Sequence, residues 1–194
     1  RAYQRAFEYA TERKQGRSPG AAKGEKSFII EHPDVRRSLL TMKAYTEAMR
    51  AMAYVQAQHI DLARYAGSEA DRTEADEIVE LMTPLVKSFC TDTAELVTSM
   101  GISIFGGMGY IEETGAAQYL RDARITAIYE GTNGIQAMDL VGRKLADGGA
   151  AALSLIGEIS AVAEAAMADL PELAASVSTA AGALRDATRA LLGM

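Results

Sequence analysis

The stretch RDARITAIYEGTNGIQ, which runs from Arg121 to Gln136, decides how this chain is interpreted. It carries one carboxylate, Glu130, directly after an apolar and aromatic segment. A carboxylate in apolar surroundings loses hydration and holds a proton more tightly, which suits it to act as a base. The GTNG run that follows, Gly131 to Gly134, frees the backbone so that main-chain N–H groups can approach a ligand closely. The stretch therefore predicts a general base beside a ligand-binding turn.

Outward from this stretch, the composition predicts an all-α fold. Ala, Leu, Met, Glu, Lys and Arg dominate, and there are only four prolines. We find no alternating stretch long enough for a strand. The second predicted helix has a start signal, in which Pro33 occupies the first turn and Asp34 caps. The predicted helices span residues 1 to 14, Val35 to Ala66, Glu74 to Phe105, Ala116 to Ile128 and Asn133 to Ala146.

Glycine and proline mark the breaks between these helices. Pro84 should bend or divide the third helix, because proline removes a main-chain donor and clashes one turn back. A hinge is predicted at residues 147 to 149, followed by two Ala-rich helices interrupted at residues 169 to 171. The cluster that ends the third helix comprises Gly106, Gly107 and Gly109. We therefore predict a helical domain over residues 1–146 and a helical extension over residues 147–194.

Composition excludes several functional classes. The chain has 194 residues, 48% of them hydrophobic, which is enough for one domain with a core. Its net charge of -6 argues against nucleic acid as a partner. No apolar run approaches the roughly 18 residues that cross a membrane. The single cysteine, Cys90, permits no internal disulfide, which fits a reducing, cytoplasmic compartment. The chain begins as if inside an amphipathic helix, so we interpret it as part of a longer protein.

The histidines and the cysteine give no sign of a metal site. His32 and His59 are far apart in sequence and show no ligand spacing, so no metal is expected. Cys90 lies within a helical apolar stripe and is most simply a small buried hydrophobe.

Four segments resemble the C-terminal helical domain of the acyl-CoA dehydrogenase family, in the family's order and spacing. They are YATERKQGR (Tyr9 to Arg17), HPDVRRSLL (His32 to Leu40), FGGMGYIEET (Phe105 to Thr114) and the Arg121 to Gln136 stretch itself. The likeness covers residues 1 to about 146 and implies an up-and-down four-helix bundle with a helical C-terminal extension. The segments EGTNGIQ and DLVGRKL look most like the longer branch of the family, which includes 3-methylmercaptopropionyl-CoA dehydrogenase-like enzymes.

The resemblance implies a role for each matching residue. Glu130 matches the base that removes the α-proton of an acyl thioester, and the thioester oxygen is stabilised partly by the main-chain N–H of that residue. Arg13 matches an arginine that binds the flavin diphosphate, usually across a dimer interface. The remaining implied contacts are Gly106, Gly107 and Thr132 with FAD, and Tyr129 and Gly131 with the substrate.

Three positions depart from the family pattern, and plain structural interpretations remain open. The aromatic residue expected after the arginine turn is missing from Gln15-Gly16-Arg17, and Ser103 and Gly134 stand where many members have Gln. Without the resemblance, Arg13 would be an ordinary surface arginine. We interpret the RDAR cluster, Arg121 to Arg124, as a set of salt bridges rather than a site.

The resemblance implies an FAD-dependent α,β-dehydrogenation of an acyl-CoA substrate, with electrons passing to electron-transfer flavoprotein. It also implies a homodimer or homotetramer built through the bundle. Two alternatives stay open. One is a non-catalytic helical interaction module that keeps the fold and lacks the chemistry, and the other is an acyl-CoA oxidase or a DNA-damage-response homologue of the same family.

Overall fold

The computed structural model describes residues 1–193 and contains no strand within that range, which confirms the all-α fold class. One isolated antiparallel bridge, between Lys14 and Phe28, is the β-type pairing that it records. Short 3-10 turns cover Ile29–Glu31, Glu112–Thr114 and Ile125–Ala127, and a π-helical turn covers Leu140–Lys144. The α-helices are α1 (Ala2–Glu12), α2 (Pro33–Tyr65), α3 (Glu69–Phe105), α4 (Gly107–Tyr110), α5 (Ala116–Arg124), α6 (Asn133–Asp139), α7 (Ala150–Ala166) and α8 (Pro171–Leu192).

Helix α2 begins at Pro33, in agreement with the predicted start signal. Proline suits the first turn because a backbone N–H there has no partner inside the helix. The predicted cap at Asp34 is wrong. This residue lies inside the first turn, and its carboxylate accepts a hydrogen bond of 2.6 Å from Arg37 Nη2. Its negative charge at the N-terminus still favours the helix dipole.

Helix α3 runs without interruption from Glu69 to Phe105, so Pro84 does not divide it. The carbonyl of Val79, one turn before the proline, accepts hydrogen bonds from Gln56 Nε2 (3.1 Å) and Thr83 Oγ1 (2.7 Å). The bond from Gln56 joins α2 to α3 on the turn before Pro84, whereas the carbonyl that loses its N–H donor to the proline is that of Glu80. The predicted start of α3 was too late. Ser68 Oγ accepts a hydrogen bond of 3.0 Å from the Asp71 N–H and caps the first turn.

The chain forms two compact units. The first comprises residues 1–54 and 86–133. Met42 is completely buried at its centre, and Ala6 and Ala10 turn one face of α1 toward it. Tyr9 stacks on Phe105 with ring centroids 4.3 Å apart. The buried residues of this core are Ala6, Ala10, Ile29, Leu39, Met42, Val97, Ile104, Phe105 and Ala116.

The second unit comprises residues 55–85 and 134–194. The predicted pair of C-terminal helices is confirmed as α7 and α8, which pack on each other. Ala163, Ala174 and Ala181 are buried, and such small side chains let helices approach closely. Arg185 Nη2 donates a hydrogen bond of 3.0 Å from α8 to Ser160 Oγ on α7. Because the compact units divide the chain elsewhere, the boundary between residues 146 and 147 stays a prediction.

A lysine in the second unit forms a partly buried ion pair. Lys144 Nζ lies 2.9 Å from Glu80 Oε2, and the Lys144 side chain is only 12% exposed. The hydrogen bond from Lys144 holds the pKa of the Glu80 carboxyl below its usual range. Glu80 itself is largely exposed, so solvent screens the pair and limits its contribution to stability.

Many large apolar side chains are exposed on the chain. Tyr110, Tyr65, Met138 and Val162 each expose more than two thirds of their surface. Where such side chains form a contiguous patch, that surface is typical of a protein that buries it against further protein. Among the described helices, none combines the length and the apolar character needed to cross a membrane.

Cys90 is half-buried rather than fully buried, with its Sγ 3.9 Å from the Met49 carbonyl oxygen. Burial raises the pKa of the Cys90 thiol. Since the thiolate is the reactive form, we expect iodoacetamide to alkylate Cys90 more slowly in the folded chain than in the urea-unfolded chain at neutral pH. Mass spectrometry of timed samples measures this, and equal rates would contradict the burial described here.

Candidate functional site

The backbone turns left-handed at Glu130. This residue has φ +53° and is the one non-glycine residue with positive φ in the described part of the chain. Gly131 follows with φ +87°. A side chain in this region costs about 1–2 kcal/mol for an L-residue, because Cβ approaches the backbone carbonyl oxygen. A positive φ at a residue that carries a side chain requires that the surrounding structure hold the turn in place.

Helix α3 holds this turn by hydrogen bonds that involve Lys87 of α3 and Asn133 of the turn itself. Lys87 Nζ donates to the Gly131 carbonyl (2.9 Å) and to Asn133 Oδ1 (2.8 Å). The other side of the Asn133 amide donates to Thr91 Oγ1 (2.9 Å) and to Asp92 Oδ1 (2.7 Å). Lys87 and Thr91 are four residues apart and lie on one face of α3. The turn is therefore anchored to α3 at Gly131 and again at Asn133.

The sequence analysis missed these anchoring residues and interpreted the GTNG run only as backbone that can approach a ligand closely. A signal was present in the segment LMTPLVKSFC, where Lys87 is the one cation among mainly apolar neighbours. A lysine that becomes partly buried needs acceptors, since an unpaired buried charge is costly. Asn133, the first residue of α6, supplies one of these acceptors.

The RDAR cluster is a set of structural contacts, as the favoured interpretation predicted. Arg124 Nη1 lies 2.7 Å from Glu95 Oε1 on α3, and Arg121 Nη2 lies 3.5 Å from Glu112 Oε1. Asp122 accepts a hydrogen bond of 2.6 Å from Gln118 Nε2. The ion pair between Arg124 and Glu95 links the end of α5 to α3. Helix α3 therefore contacts the Arg121 to Gln136 stretch in two places, through Glu95 and through Lys87.

Within residues 1–193, nothing shields Glu130 from water as the sequence led us to expect. Glu130 is exposed, and so are the apolar residues before it: Ile125 (51%), Ile128 (47%) and Tyr129 (49%). The expectation failed because these side chains form an outward-facing apolar surface instead of packing over the carboxylate. Any desolvation of Glu130 must come from atoms outside residues 1–193. Thr132, next in the turn after Gly131, is also exposed.

Two predicted cofactor residues, Arg13 and Gly106, line one open groove of about 330 Å³ in the first unit. They are distant in sequence, and the fold brings the end of α1 and the end of α3 together. Gly107, the first residue of α4, adjoins this groove in sequence. The other residues that line the groove are Tyr9, Gln15, Gly16, Ile29, His32, Val35, Ser103, Ile104 and Phe105.

Backbone hydrogen bonds order the loop that carries Arg13. The Arg13 N–H donates to the Tyr9 carbonyl (2.9 Å) and ends α1, and the Arg13 carbonyl accepts from the Ile29 N–H (2.8 Å). His32 Nε2 lies 2.8 Å from the Gln15 carbonyl oxygen and ties the start of α2 to the same loop. Sequence reasoning missed His32 as a groove residue, because nothing in its spacing indicates proximity to Arg13.

The three glycines at the end of α3 have different structural roles. Gly106 has φ +62° and ψ -142°, a conformation that is almost restricted to glycine, and it confirms the predicted helix stop. Gly107 is open, because no atom lies within 4 Å of the position that a Cβ would occupy there. Gly109 is buried, and a Cβ there would collide with the Ile102 carbonyl oxygen and lie 2.8 Å from Phe105 Cβ. Only Gly109 is required for close packing.

The chemistry available is acid–base and anion binding. No group of three or more His, Cys, Asp or Glu side chains in the described residues is placed to hold a metal ion. The Glu130 turn offers a carboxylate beside exposed apolar surface. The groove offers the guanidinium of Arg13 and several apolar side chains, a set that matches the combined anionic and apolar character of a phosphorylated aromatic ligand.

Comparison with known proteins gives a consistent result. The profile of the family described as acyl-CoA dehydrogenase, C-terminal domain, matches residues 1–145. Over 150 residues the chain is 54% identical to the 3-methylmercaptopropionyl-CoA dehydrogenase of Ruegeria pomeroyi, covering 77% of this chain and 25% of that protein. The solved butyryl-CoA dehydrogenase of Megasphaera elsdenii is 30% identical, with a TM-score of 0.53, covering 74% of this chain and 32% of that one.

A third similarity extends over the C-terminal helices. The Caenorhabditis elegans protein ACDH-11, solved in complex with C11-CoA, matches 98% of this chain and 34% of its own with a TM-score of 0.66. At 24% identity this likeness concerns the fold alone. The chain spans about a quarter of the length of the curated relatives that it matches.

Proposed function

This chain belongs to the acyl-CoA dehydrogenase family, and from that premise we propose that it is the C-terminal helical domain of an FAD-dependent enzyme that converts an acyl-CoA thioester to the trans-2-enoyl-CoA. The strained, anchored turn at Glu130 is the observation that carries the proposal. Strained backbone concentrates at functional sites, and here it coincides with the family's catalytic segment.

In the proposed reaction the carboxylate of Glu130 removes a proton from the carbon next to the thioester carbonyl. That proton is weakly acidic, so its removal requires both a positioned base and stabilisation of the negative charge that develops on the thioester oxygen. The main-chain N–H of Glu130 is the proposed donor to that oxygen. Tyr129 and Gly131 flank the base and are proposed to contact the substrate. The family resemblance implies that the complete enzyme also has an N-terminal helical domain and a middle β-domain, and these are proposed to supply the desolvation that the described residues do not provide.

Arg13 and Gly106 are the proposed contacts for FAD. The groove residues fit such a group, because Arg13 offers paired donors for a diphosphate and Gly106 lets the backbone approach without a side chain. When bound, FAD supplies the acceptor for the β-hydride. Gly107 and Thr132 are proposed as further backbone and hydroxyl contacts to it. The missing aromatic residue in the Arg13 loop implies one contact fewer than in other family members.

Replacing Arg13 with Ala should weaken FAD retention by the complete enzyme by about 10- to 100-fold, because charge-assisted hydrogen bonds contribute about 1.5–3 kcal/mol. The dissociation constant for FAD, measured by flavin fluorescence on reconstitution of the apoenzyme, tests this. Arg17→Ala is the matched control, since Arg17 is an exposed cation of the same loop that does not line the groove. Equal loss in both variants would show that only net charge matters and would refute the diphosphate role.

The relatives' names guide the choice of substrate. One is a 3-methylmercaptopropionyl-CoA dehydrogenase and another, from Syntrophomonas wolfei, a butyryl-CoA dehydrogenase. Both names denote short acyl groups, so we propose short acyl-CoA thioesters as the substrates. We also propose a cytoplasmic homodimer or homotetramer that passes electrons to electron-transfer flavoprotein. The exposed apolar side chains on this domain support burial against other protein in such an assembly.

The exposure of Glu130 favours a second candidate, a helical interaction module without catalysis. The two candidates differ in flavin content and in the reaction with acyl-CoA. A purified complete protein that is yellow, and that is bleached by butyryl-CoA in the absence of oxygen, supports the enzyme. A colourless protein that cannot be reconstituted with FAD supports the module.

A further inference from the structure

We propose that Lys87 is the positioning residue that holds the Glu130 turn in its left-handed conformation, an inference that rests on the proposed function of Glu130. Lys87 touches neither the substrate nor the cofactor in this proposal. It acts through the backbone of Gly131 and the side chain of Asn133, and it therefore sets the direction in which the Glu130 carboxylate points.

The contacts of Lys87 converge on the turn. Its ammonium group donates to the Gly131 carbonyl at 2.9 Å, one residue after the strained position, and to Asn133 Oδ1 at 2.8 Å. An ammonium that bridges two acceptors two residues apart fixes the path of the chain between them. The left-handed Glu130 immediately precedes this fixed segment.

The asparagine makes the arrangement directional. Asn133 Oδ1 accepts a hydrogen bond from Lys87, while Asn133 Nδ2 donates to Thr91 and Asp92. These bonds fix the orientation of the Asn133 side-chain amide. All these α3 residues are on one long, continuous helix, which supports the turn. Without the lysine, the Gly131 carbonyl loses this donor, and the strained φ at Glu130 loses the contact that compensates for it.

The inference predicts a specific kinetic effect. A displacement of about 1 Å in a reacting group can cost on the order of 100-fold in rate. We therefore expect Lys87→Met in the complete enzyme to lower kcat for butyryl-CoA by about 100-fold and to raise KM by a smaller factor, since Gly131 is also a proposed substrate contact. Lys87→Arg retains cationic donors and should recover most of the loss.

Lys144→Met is the matched control. Lys144 is also a partly buried lysine whose ammonium forms a close polar contact, 2.9 Å from Glu80, in the other compact unit. This variant should lower the thermal midpoint only slightly, because solvent screens the pair with Glu80, and it should leave kcat unchanged. If both lysine variants reduce kcat equally, general destabilisation explains the effect and the positioning role is refuted.

Amide hydrogen exchange gives a readout that does not depend on catalysis. We expect the peptide containing residues 129 to 134 to exchange faster in Lys87→Met than in the wild type, while peptides from α1 keep their protection. Unchanged exchange in that peptide overturns the inference, even if kcat falls. Should Lys87→Met fail to fold, Asn133→Ala removes one of the two anchors and should show the same local increase with a smaller kcat loss.

The failure of this inference can be separated from failure of the proposed function. If Glu130→Gln retains full α-proton exchange, then the proposed function is wrong, whatever the behaviour of the turn. If Glu130→Gln abolishes that exchange and Lys87→Met leaves both kcat and amide exchange unchanged, only the positioning role is wrong.

Discussion

Glu130→Gln in the complete enzyme should reduce the exchange of the α-protons of a bound acyl-CoA by about 10²- to 10⁴-fold, the range that a general base contributes. Glutamine has the same shape but cannot accept the proton. It also meets the same left-handed backbone, so the turn should keep its contacts with Lys87 and Asn133. The measurement is deuterium incorporation into butyryl-CoA in D₂O, followed by mass spectrometry.

The control for this experiment is Glu8→Gln, which removes an exposed carboxylate from α1. Both variants should retain FAD like the wild type, because the proposed FAD contacts of Arg13 and Gly106 are untouched. Wild-type exchange in Glu130→Gln would remove the base assignment. Loss of FAD together with loss of exchange would mean that the substitution disturbed the site as a whole, and that the base assignment lacks its support.

Gly109→Ala should destabilise the chain by about 3 kcal/mol, at the upper end of the cost of overpacking a core. A Cβ at Gly109 would overlap the Ile102 carbonyl oxygen and lie 2.8 Å from Phe105 Cβ. The backbone cannot yield as a flexible side-chain tip would, so α4 must move away from the end of α3. Urea unfolding followed by circular dichroism at 222 nm measures the change in the free energy of unfolding.

Gly107→Ala is the matched control within the same short helix. Position 107 is helical and open, so alanine fits there and lowers the conformational entropy of the unfolded chain. We expect this variant to be neutral or slightly more stable. Equal destabilisation at both positions would contradict the close packing described at Gly109.

The helices could largely be predicted because their signals are local. Pro33 starts α2 and the residues before Pro171 separate α7 from α8, as expected from proline's missing N–H and fixed φ. The predictions failed where a tertiary contact overrides a local sequence signal. Pro84 does not divide α3, and the Gln56 side chain of α2 contacts α3 one turn before the proline. That contact joins residues more than twenty positions apart and leaves no trace in sequence periodicity.

The candidate site could be predicted only in part. The segment around Glu130 was recognisable from its residues, and the sequence suggested that the glycines relax the backbone there. What holds that backbone is Lys87, which is 44 residues away from Gly131 along the chain. The groove that joins Arg13 to Gly106 likewise depends on the way helix ends meet. Spacing along one chain does not contain this information when the intervening elements are long helices and loops.

The left-handed backbone at position 130 has a consequence for protein engineering. Glycine, and to a lesser degree asparagine, adopts this conformation with less strain than glutamate. A library of variants selected only for thermal stability would therefore favour Gly or Asn at this position. Its most thermostable variants would lack the carboxylate that is proposed to act as the catalytic base. Any stabilisation campaign on this domain has to keep residue 130 fixed and seek its gains elsewhere.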